Sequence, residues 1–210
     1  MSGKISSINI KRKHLTEVLF ENGTSLVLDS DYCAEAQLSV GKKLSEYECC
    51  EHKVGSDTRR AKSRALWYLS RADHSEKGLF DKLKKAGFDE AACTAAVDRM
   101  KQLAYLDDQK FALRLAKNLL DTNCSPRQAE QKLILKGIPR DIARSAVQQQ
   151  ETDQKLQIRA LLERQYRNKM GTEKDIQRTF AALVRRGFDF GDIKSVMREY
   201  SENINDCEEF

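Results

Sequence analysis

The stretches SEKGLFDKLKKAGFDEAACTAAV (75–97), SPRQAEQKLILKGIPRDIARSAV (125–147) and DIQRTFAALVRRGFDFGDIKSVM (175–197) align without a gap at a spacing of 50 residues. The residues in register are Leu83, Leu133 and Leu183, then Gly87, Gly137 and Gly187, then Phe88, Ile138 and Phe188. A repeat of this length is typical of stacked supersecondary units. The three copies therefore indicate one structural unit that occurs three times.

Each copy has the pattern of two helices separated by the glycine. Ser75, Ser125 and Asp175 are suitable N-caps, because their side-chain oxygens can accept hydrogen bonds from helix N–H groups. Pro126 fits the first helical position, and Gln128 is placed to complete a capping box with Ser125. The glycine would supply the left-handed residue that ends the first helix.

A further helical pattern precedes each copy, over 59–70, 108–120 and 152–170. Each repeat is therefore predicted to contain three helices, and the three repeats to stack as an α-solenoid. The predicted boundaries are 57–107, 108–150 and 151–200. Residues 201–210 form an acidic tail that we expect to be disordered.

The first 56 residues form a predicted head that precedes the repeats. Asn22-Gly23 is a strong hairpin signal between the strand-like runs 15–21 and 24–29. Residues 4–11 are a candidate third strand, two short helices flank a turn at Val40-Gly41, and 52–57 has the pattern of a linker. The predicted fold is mainly α: three tandem three-helix repeats after a small N-terminal head that contains a β-hairpin.

Composition excludes several classes of protein. The chain of 210 residues has 33% charged residues and no apolar run of the length that crosses a membrane. Its N-terminus, Met-Ser-Gly-Lys-Ile-Ser, lacks the apolar core of a signal peptide. The six cysteines show no C-x-x-C spacing and are expected to be reduced thiols. We therefore expect a cytoplasmic protein that does not contact membranes.

Charge is concentrated in the repeats. Residues 57–200 contain 30 basic and 20 acidic side chains, whereas 201–210 contain four acidic and no basic ones. A basic body suits a polyanion or an acidic protein groove, although a well-solvated helical surface has the same composition. The cations of the repeats are therefore the candidate contacts with an anionic partner.

The first group of candidate contact residues lies on the first helix of the first repeat and consists of Arg59, Arg60, Lys62, Arg64 and Arg71. Cations near a helix N-terminus oppose the helix dipole, so a partner that neutralises them would be favourable. A solvated face is the alternative.

Trp67 and Tyr68 lie among the cations of the first group. An aromatic ring beside arginine can stack on an exposed base. The helical spacing of Trp67, however, predicts that this side chain is in the core.

The second group recurs with the repeat. The cations directly before the three glycines, and two that extend the group on the middle repeat, are Lys84, Lys85, Lys136, Arg185, Arg186, Arg127 and Lys132. They could form a ladder with one basic spot on each repeat. Alternatively, they complement the dipoles of the helices that they end.

No pattern indicates catalysis, a cofactor or a metal. Asp107 and Asp108 are adjacent on a helical segment and point about 100° apart, so Asp107 is better explained as a helix cap than as a metal ligand. Cys49, Cys50 and His52 lack the spacing of a zinc knuckle. We therefore predict no catalytic residue, no cofactor and no metal site.

The repeats resemble the RecX family of bacterial regulators of the RecA recombinase over about residues 57–200. The resemblance is carried by Ala65, Leu69, the segment Asp73-His74-Ser75-Glu76, Leu79, Leu83, Gly87-Phe88, Pro126, Leu133 and Lys136-Gly137-Ile138. In addition, the segment 105–112, YLDDQKFA, resembles the family motif Y-L-[DN]-D-x-x-[FY]. The chain departs from the family pattern at Ala104 and Ser125, where glycine is usual, at Gly78, where glutamate is common, and at Ala72, where a basic residue is common.

The resemblance implies a non-enzymatic monomer that binds within the groove of the RecA–DNA filament and also contacts single- or double-stranded DNA. Such proteins limit filament growth and damp ATP hydrolysis and strand exchange. Two alternatives remain open from the residues: a helical protein whose target is DNA itself, and a metal-dependent nuclease.

Overall fold

The computed structural model describes residues 2–12, 14–167 and 170–207, the last seven of these for the backbone only. The chain divides into two compact units, residues 1–107 and 108–210. The first unit holds the head and the first three-helix repeat, and the second unit holds the other two repeats. In the part of the chain that is described, no helix is both long and apolar enough to cross a membrane.

The head is a four-stranded antiparallel sheet with one short helix. Its elements are β1 (Gly3–Arg12), β2 (Leu15–Phe20), β3 (Ser25–Asp29), α1 (Ser30–Glu35) and β4 (Lys43–Leu44), and the strand order is β3-β2-β1-β4. Gly23 turns the β2–β3 hairpin with a φ of 79°, and the Asn22 side chain accepts a hydrogen bond from the Thr24 N–H. The predicted hairpin and third strand are confirmed.

A single helix, α2 (Glu46–Leu69), runs from the head into the first repeat. Ser45 and Glu48 form a capping box at its start. The predicted linker over 52–57 is wrong, because these residues lie inside α2. A Cβ at Gly55 would lie 2.5 Å from the Tyr32 hydroxyl, and the Ser56 hydroxyl accepts a hydrogen bond from the Asp29 N–H. These small residues therefore serve close packing against the head.

The three repeats are confirmed, and each has a hydrophobic core. The first repeat adds α3 (Glu76–Lys85) and α4 (Glu90–Gln102) to the end of α2, and the second contains α5 (Asp108–Asp121), α6 (Pro126–Leu135) and α7 (Arg140–Gln148). The third contains α8 (Gln154–Leu161), a π-helical turn (Leu162–Tyr166), α9 (Glu173–Arg185) and α10 (Phe190–Cys207). Leu83, Leu133 and Leu183 are fully buried in the three cores. The predicted domain boundaries stay a prediction.

The repeated glycines end α3, α6 and α9 as predicted. Gly87, Gly137 and Gly187 have φ values of 91°, 88° and 84°. In each repeat the residue after the glycine donates its N–H to the carbonyl of the buried leucine, for example Phe88 to Leu83 at 3.3 Å. This Schellman arrangement explains the spacing, because it fixes the leucine, the glycine and the next apolar residue relative to one another. Ala104 ends α4 in the same way with a φ of 58°.

The starts of two helices differ from prediction. Thr172 caps α9 instead of Asp175, whose N–H donates to the Thr172 hydroxyl, so this helix begins one turn earlier. Ser125 caps α6, but Gln128 does not return the bond of a capping box, since its side chain accepts from the Cys124 thiol.

The end of the chain also differs from prediction. The expectation of a disordered tail is wrong over 201–207, where the backbone continues α10, and 208–210 lie outside the described residues.

Candidate functional site

The second half of α2 presents cations that lie against aromatic rings. We call this the basic–aromatic surface, and it comprises Arg60, Arg64, Trp67, Tyr68, Arg71, Lys82 and Phe88. The guanidinium of Arg71 lies 4.0 Å from the centroid of the Trp67 ring, and that of Arg64 lies 5.1 Å from it. Residues three, four and seven apart share one face of a helix. Arg64 lies one turn before Trp67 on α2, and Arg71 follows the end of this helix, so the guanidinium groups of both arginines reach the Trp67 ring.

Helix α3 and the turn after it complete this surface. The Lys82 amine lies 5.1 Å from the centroid of the Tyr68 ring, and the Arg60 guanidinium lies 5.7 Å from that of Phe88. Trp67 and Tyr68 meet edge to face with their centroids 5.2 Å apart. Cation–π contacts of this kind hold long basic side chains against rings. The surface therefore presents several ordered positive charges around one exposed aromatic ring.

The prediction that Trp67 belongs to the core is wrong. Trp67 is 42% exposed, whereas Ala61 and Ala65 are fully buried and carry the core face of α2. The small alanines suit the close packing of α2 on the helices of its repeat, and the larger ring lies outside. An exposed ring beside guanidinium groups has the chemistry on which unstacked bases stack.

A groove of about 540 Å³ adjoins this surface between the head and α2. Its lining consists of His14, Leu15, Asp29, Asp31, Arg59, Arg60, Ser63, Arg64, Trp67 and Phe88. The head side of the groove contributes carboxylates, and the α2 side contributes cations and rings. The lining therefore combines carboxylates of the head with cations of α2, and Arg59 pairs with both lining carboxylates.

The Arg59 side chain forms ion pairs with carboxylates of the head. Its guanidinium pairs with Asp29 at 3.2 Å, with Asp31 at 3.4 Å and with Glu35 at 2.6 Å. The hydrogen bond to Glu35 raises the pKa of Arg59 above its usual value. Arg59 therefore ties the head to α2 and has its charge neutralised there.

The dipole argument for the first group is also wrong. Helix α2 begins at Glu46, so the cations at 59–64 lie in its middle and do not oppose its N-terminus. Arg60 pairs with Asp57 at 3.0 Å, and Lys62 is half-buried on the same helix. Arg64 and Arg71 are exposed and remain the two arginines that flank Trp67.

The second group separates into packing and surface residues. A Cβ at Gly187 would lie 2.9 Å from the Cβ of Arg127, and the Arg186 guanidinium donates to Gln165 at 2.7 Å. The Ser125 hydroxyl donates to the Arg186 carbonyl. Arg127 and Arg186 therefore help to pack the second repeat against the third.

The remaining cations of the second group are exposed and are Lys84, Lys85, Lys132, Lys136 and Arg185. They lie in or directly after the last turns of α3, α6 and α9, where they complement the helix dipoles. The basic ladder stays a prediction.

Sequence reasoning missed Lys82, Phe88 and the exposed position of Trp67. Lys82 and Phe88 reach the basic–aromatic surface only because α3 packs on α2, and nothing local to either residue signals this contact. The spacing of Arg64 and Trp67 was a usable signal, because residues at i and i+3 share a face of a helix, whereas Arg71 follows the end of α2.

Over the described residues, no group of three or more His, Cys, Asp or Glu side chains is placed to hold a metal ion. The five cysteines whose side chains are described are free thiols, and burial raises the pKa of Cys33, Cys49 and Cys93.

Comparison with known proteins points to one family. A family model described as RecX, first three-helix domain, matches residues 61–100, which include most of the basic–aromatic surface. The regulatory protein RecX of Listeria welshimeri is 25% identical over 98% of this chain and 79% of its own length. That of Bacillus velezensis is 27% identical over 97% of this chain and 80% of its own length.

Solved structures agree in fold. A crystal structure of regulatory protein RecX has a TM-score of 0.67 at 22% identity and covers 94% of this chain and 100% of its own. The crystal structure of RecX from Lactobacillus salivarius has a TM-score of 0.60 at 21% identity and covers 69% of this chain and 97% of its own.

Proposed function

We propose that this chain, which is similar to RecX regulatory proteins over nearly its whole length, is a RecX-family protein and a non-enzymatic regulator that binds the RecA–DNA filament. On binding it inhibits ATP hydrolysis and strand exchange by the recombinase. The protein acts in the cytoplasm as a monomer and supplies no catalytic group, metal or cofactor of its own.

The observation that carries this proposal is the basic–aromatic surface. Arg64 and Arg71 place two positive charges beside the exposed Trp67 ring. Phosphates pair with guanidinium groups, and unstacked bases stack on exposed rings. A filament of recombinase on single-stranded DNA offers both groups. The surface therefore supports contact with the DNA inside the filament, alongside contact with the recombinase itself.

The test is RecA ATP hydrolysis on single-stranded DNA with this protein titrated in. We expect inhibition well below one molecule per recombinase, since a regulator of filament growth acts on few sites. Trp67→Ala and the double variant Arg64→Ala/Arg71→Ala should each raise the half-inhibitory concentration at least tenfold. Arg59 is left unchanged because its loss would free the head carboxylates. Inhibition that is unchanged in both variants would remove this surface from the proposal.

A control variant that removes the same number of positive charges elsewhere distinguishes an effect of the basic–aromatic surface from an effect of net charge. Arg140→Ala/Arg144→Ala removes two exposed arginines from α7 in the second repeat. We expect this variant to inhibit within about twofold of the wild-type protein. An equal loss of inhibition in both double variants would mean that overall charge, and not the basic–aromatic surface, determines binding.

A second candidate function is direct binding to DNA, which the same cation and ring arrangement favours. A protein that makes several phosphate contacts loses affinity steeply with salt, with a log–log slope of about −0.7 per contact on single strands. A filament binder should keep saturable binding to recombinase-coated DNA at a salt concentration that removes it from naked DNA. Equal salt sensitivity on both substrates would favour the direct DNA binder.

A further inference from the structure

The third repeat exposes an apolar depression between α9 and α10. The depression has a volume of about 510 Å³ and is lined by Arg178, Phe180, Ala181, Val184, Arg185 and Phe190. The rings of Phe180 and Phe190 meet edge to face with their centroids 4.9 Å apart. Phe190 is 61% exposed and Val184 is 41% exposed. Two aromatic rings in contact and a valine are therefore exposed side by side at this position.

The repeat provides an internal comparison for these residues. The positions that hold Phe180 and Phe190 correspond, 50 residues earlier, to Glu130 and Arg140. These two residues form an ion pair at 3.8 Å in the second repeat. The same pair of positions therefore folds with charged side chains. The aromatic pair of the third repeat is consequently not required to build a three-helix unit, and its exposure calls for another explanation.

The charges at the rim define what would bind there. The charged residues among those that line the depression are Arg178 and Arg185, one on each side of Ala181. They are seven residues apart on α9, which is about 10 Å along the helix axis. Asp175 contacts Arg178 at 3.4 Å, yet the Arg178 side chain remains 79% exposed. An occupant therefore meets an apolar floor between two positive charges.

We propose that this depression is a docking site for an acidic amphipathic helix of a partner protein. The helix places an apolar side chain on the floor at Ala181 and Phe190, with carboxylates at positions i and i+7 that pair with the two arginines. The spacing matches because i and i+7 lie two turns apart on one helix face, about 10 Å from one another. The recognition mode is that of an amphipathic helix laid in an apolar groove.

The first measurement is fluorescence anisotropy of three labelled helical peptides of about 15 residues titrated with the full-length protein. The first peptide has Glu at i and i+7 with Leu at i+3 and i+4, the second has Lys for Glu, and the third has Ala for Leu. We expect saturable binding of the Glu/Leu peptide with a dissociation constant of roughly 10–100 μM, and at least tenfold weaker binding of the other two. A flat titration up to about 1 mM, or equal binding of all three peptides, would overturn the proposal.

Two double variants test whether the peptide binds in the depression. Phe180→Glu/Phe190→Arg installs the ion pair of the second repeat and should weaken the Glu/Leu peptide at least tenfold. Arg178→Glu/Arg185→Glu should reverse the preference in favour of the Lys peptide, which a merely misfolded protein would not do. Tyr47→Ala, which removes another exposed aromatic side chain, should leave peptide binding unchanged. Peptide binding that survives both double variants would refute the site.

The same variants separate this proposal from competing occupants and from the proposed function. If Phe180→Glu/Phe190→Arg weakens oligo(dT) binding and the Glu/Leu peptide does not compete with oligo(dT), the depression is a nucleic-acid site and the proposal fails. Peptide binding requires no recombinase, so the peptide assay can succeed when ATPase inhibition fails. Conversely, if the variants of the basic–aromatic surface lose inhibition but still bind the Glu/Leu peptide, the result supports a docking site that is separate from that surface.

Discussion

Replacing Ala104 by glycine is expected to stabilise the first unit of the chain. Ala104 ends α4 with a φ of 58°, in the left-handed region that disfavours side chains with a Cβ. The Ala104 side chain is exposed, so its removal costs little packing. The backbone bonds of the motif, such as Tyr105 N–H to the Met100 carbonyl at 2.9 Å, do not depend on the side chain. The substitution therefore changes mainly the backbone strain.

The expected magnitude follows from two opposing effects. A left-handed conformation costs a non-glycine residue roughly 1–2 kcal/mol, whereas glycine loses roughly 0.5–1 kcal/mol more conformational entropy on folding. Ala104→Gly should therefore raise the free energy of unfolding by about 0.5–1 kcal/mol. Gly87→Ala is the reverse change, since Gly87 has a φ of 91° and a Cβ there would meet no atom within 4 Å. It should lower the free energy of unfolding by a similar amount.

Urea denaturation, monitored by tryptophan fluorescence, measures the change in the free energy of unfolding of the first unit. The chain contains one tryptophan, and Trp67 lies in the same unit as Ala104. With a slope of about 2 kcal/mol per M, Ala104→Gly should raise the midpoint by about 0.3–0.5 M urea at an unchanged slope.

Ala86 is the matched control for Ala104, because it is exposed at the end of α3 but has an ordinary φ of −78°. Ala86→Gly should lower the midpoint. If Ala104→Gly also lowers it, or if both changes raise it equally, the left-handed strain argument is refuted.

Gly187→Ala should destabilise more than Gly87→Ala, because a new Cβ would also meet the Cβ of Arg127 at 2.9 Å; far-UV circular dichroism in urea compares the two, and equal losses would contradict the contact. Leu133→Ala should lower the free energy of unfolding by about 2–5 kcal/mol, as for a fully buried leucine. A loss under about 0.5 kcal/mol would mean that the register of the middle repeat is wrong. Hydrogen bonds from Ser45 lower the pKa of Glu48 below its ordinary 4.5, so its contribution to stability is present above that pH and is lost as the pH falls through the folded pKa. Glu48→Gln should therefore flatten the decrease in urea midpoint below about pH 5, and an unchanged decrease would exclude this group as a cause.

The repeat register could be predicted because its signals are local. A glycine at φ near +90°, a leucine four residues earlier and an apolar residue directly after it are all fixed by one backbone motif. The helix starts at Ser75 and Ser125 follow from side-chain capping in the same way. Prediction was weaker where a tertiary contact decides. Gly55 and Ser56 resemble a linker in sequence, whereas their contacts with Tyr32 and Asp29 of the head explain why small residues occur inside this helix.

The sequence predicted which arginines belong to the candidate site better than it predicted the contacts of those arginines. Arg64 and Arg71 were identified from charge alone. Arg59 has the same sequence signal, but carboxylates of the head that are 24 to 30 residues away in sequence neutralise it. Charge counted along a helix cannot separate these cases, because the partners of each arginine are set by the packing of the head on α2.

The unbroken helix α2 also has a thermodynamic consequence. A flexible joint between the head and the first repeat would let the two move independently, and a ligand that touches both would have to freeze that motion on binding. Helix α2 instead carries the backbone continuously from Glu46 to Leu69, and Arg59 fastens the head to it partway along. The groove beside Trp67 is thus preorganised, so its two walls have a fixed spacing before any ligand binds.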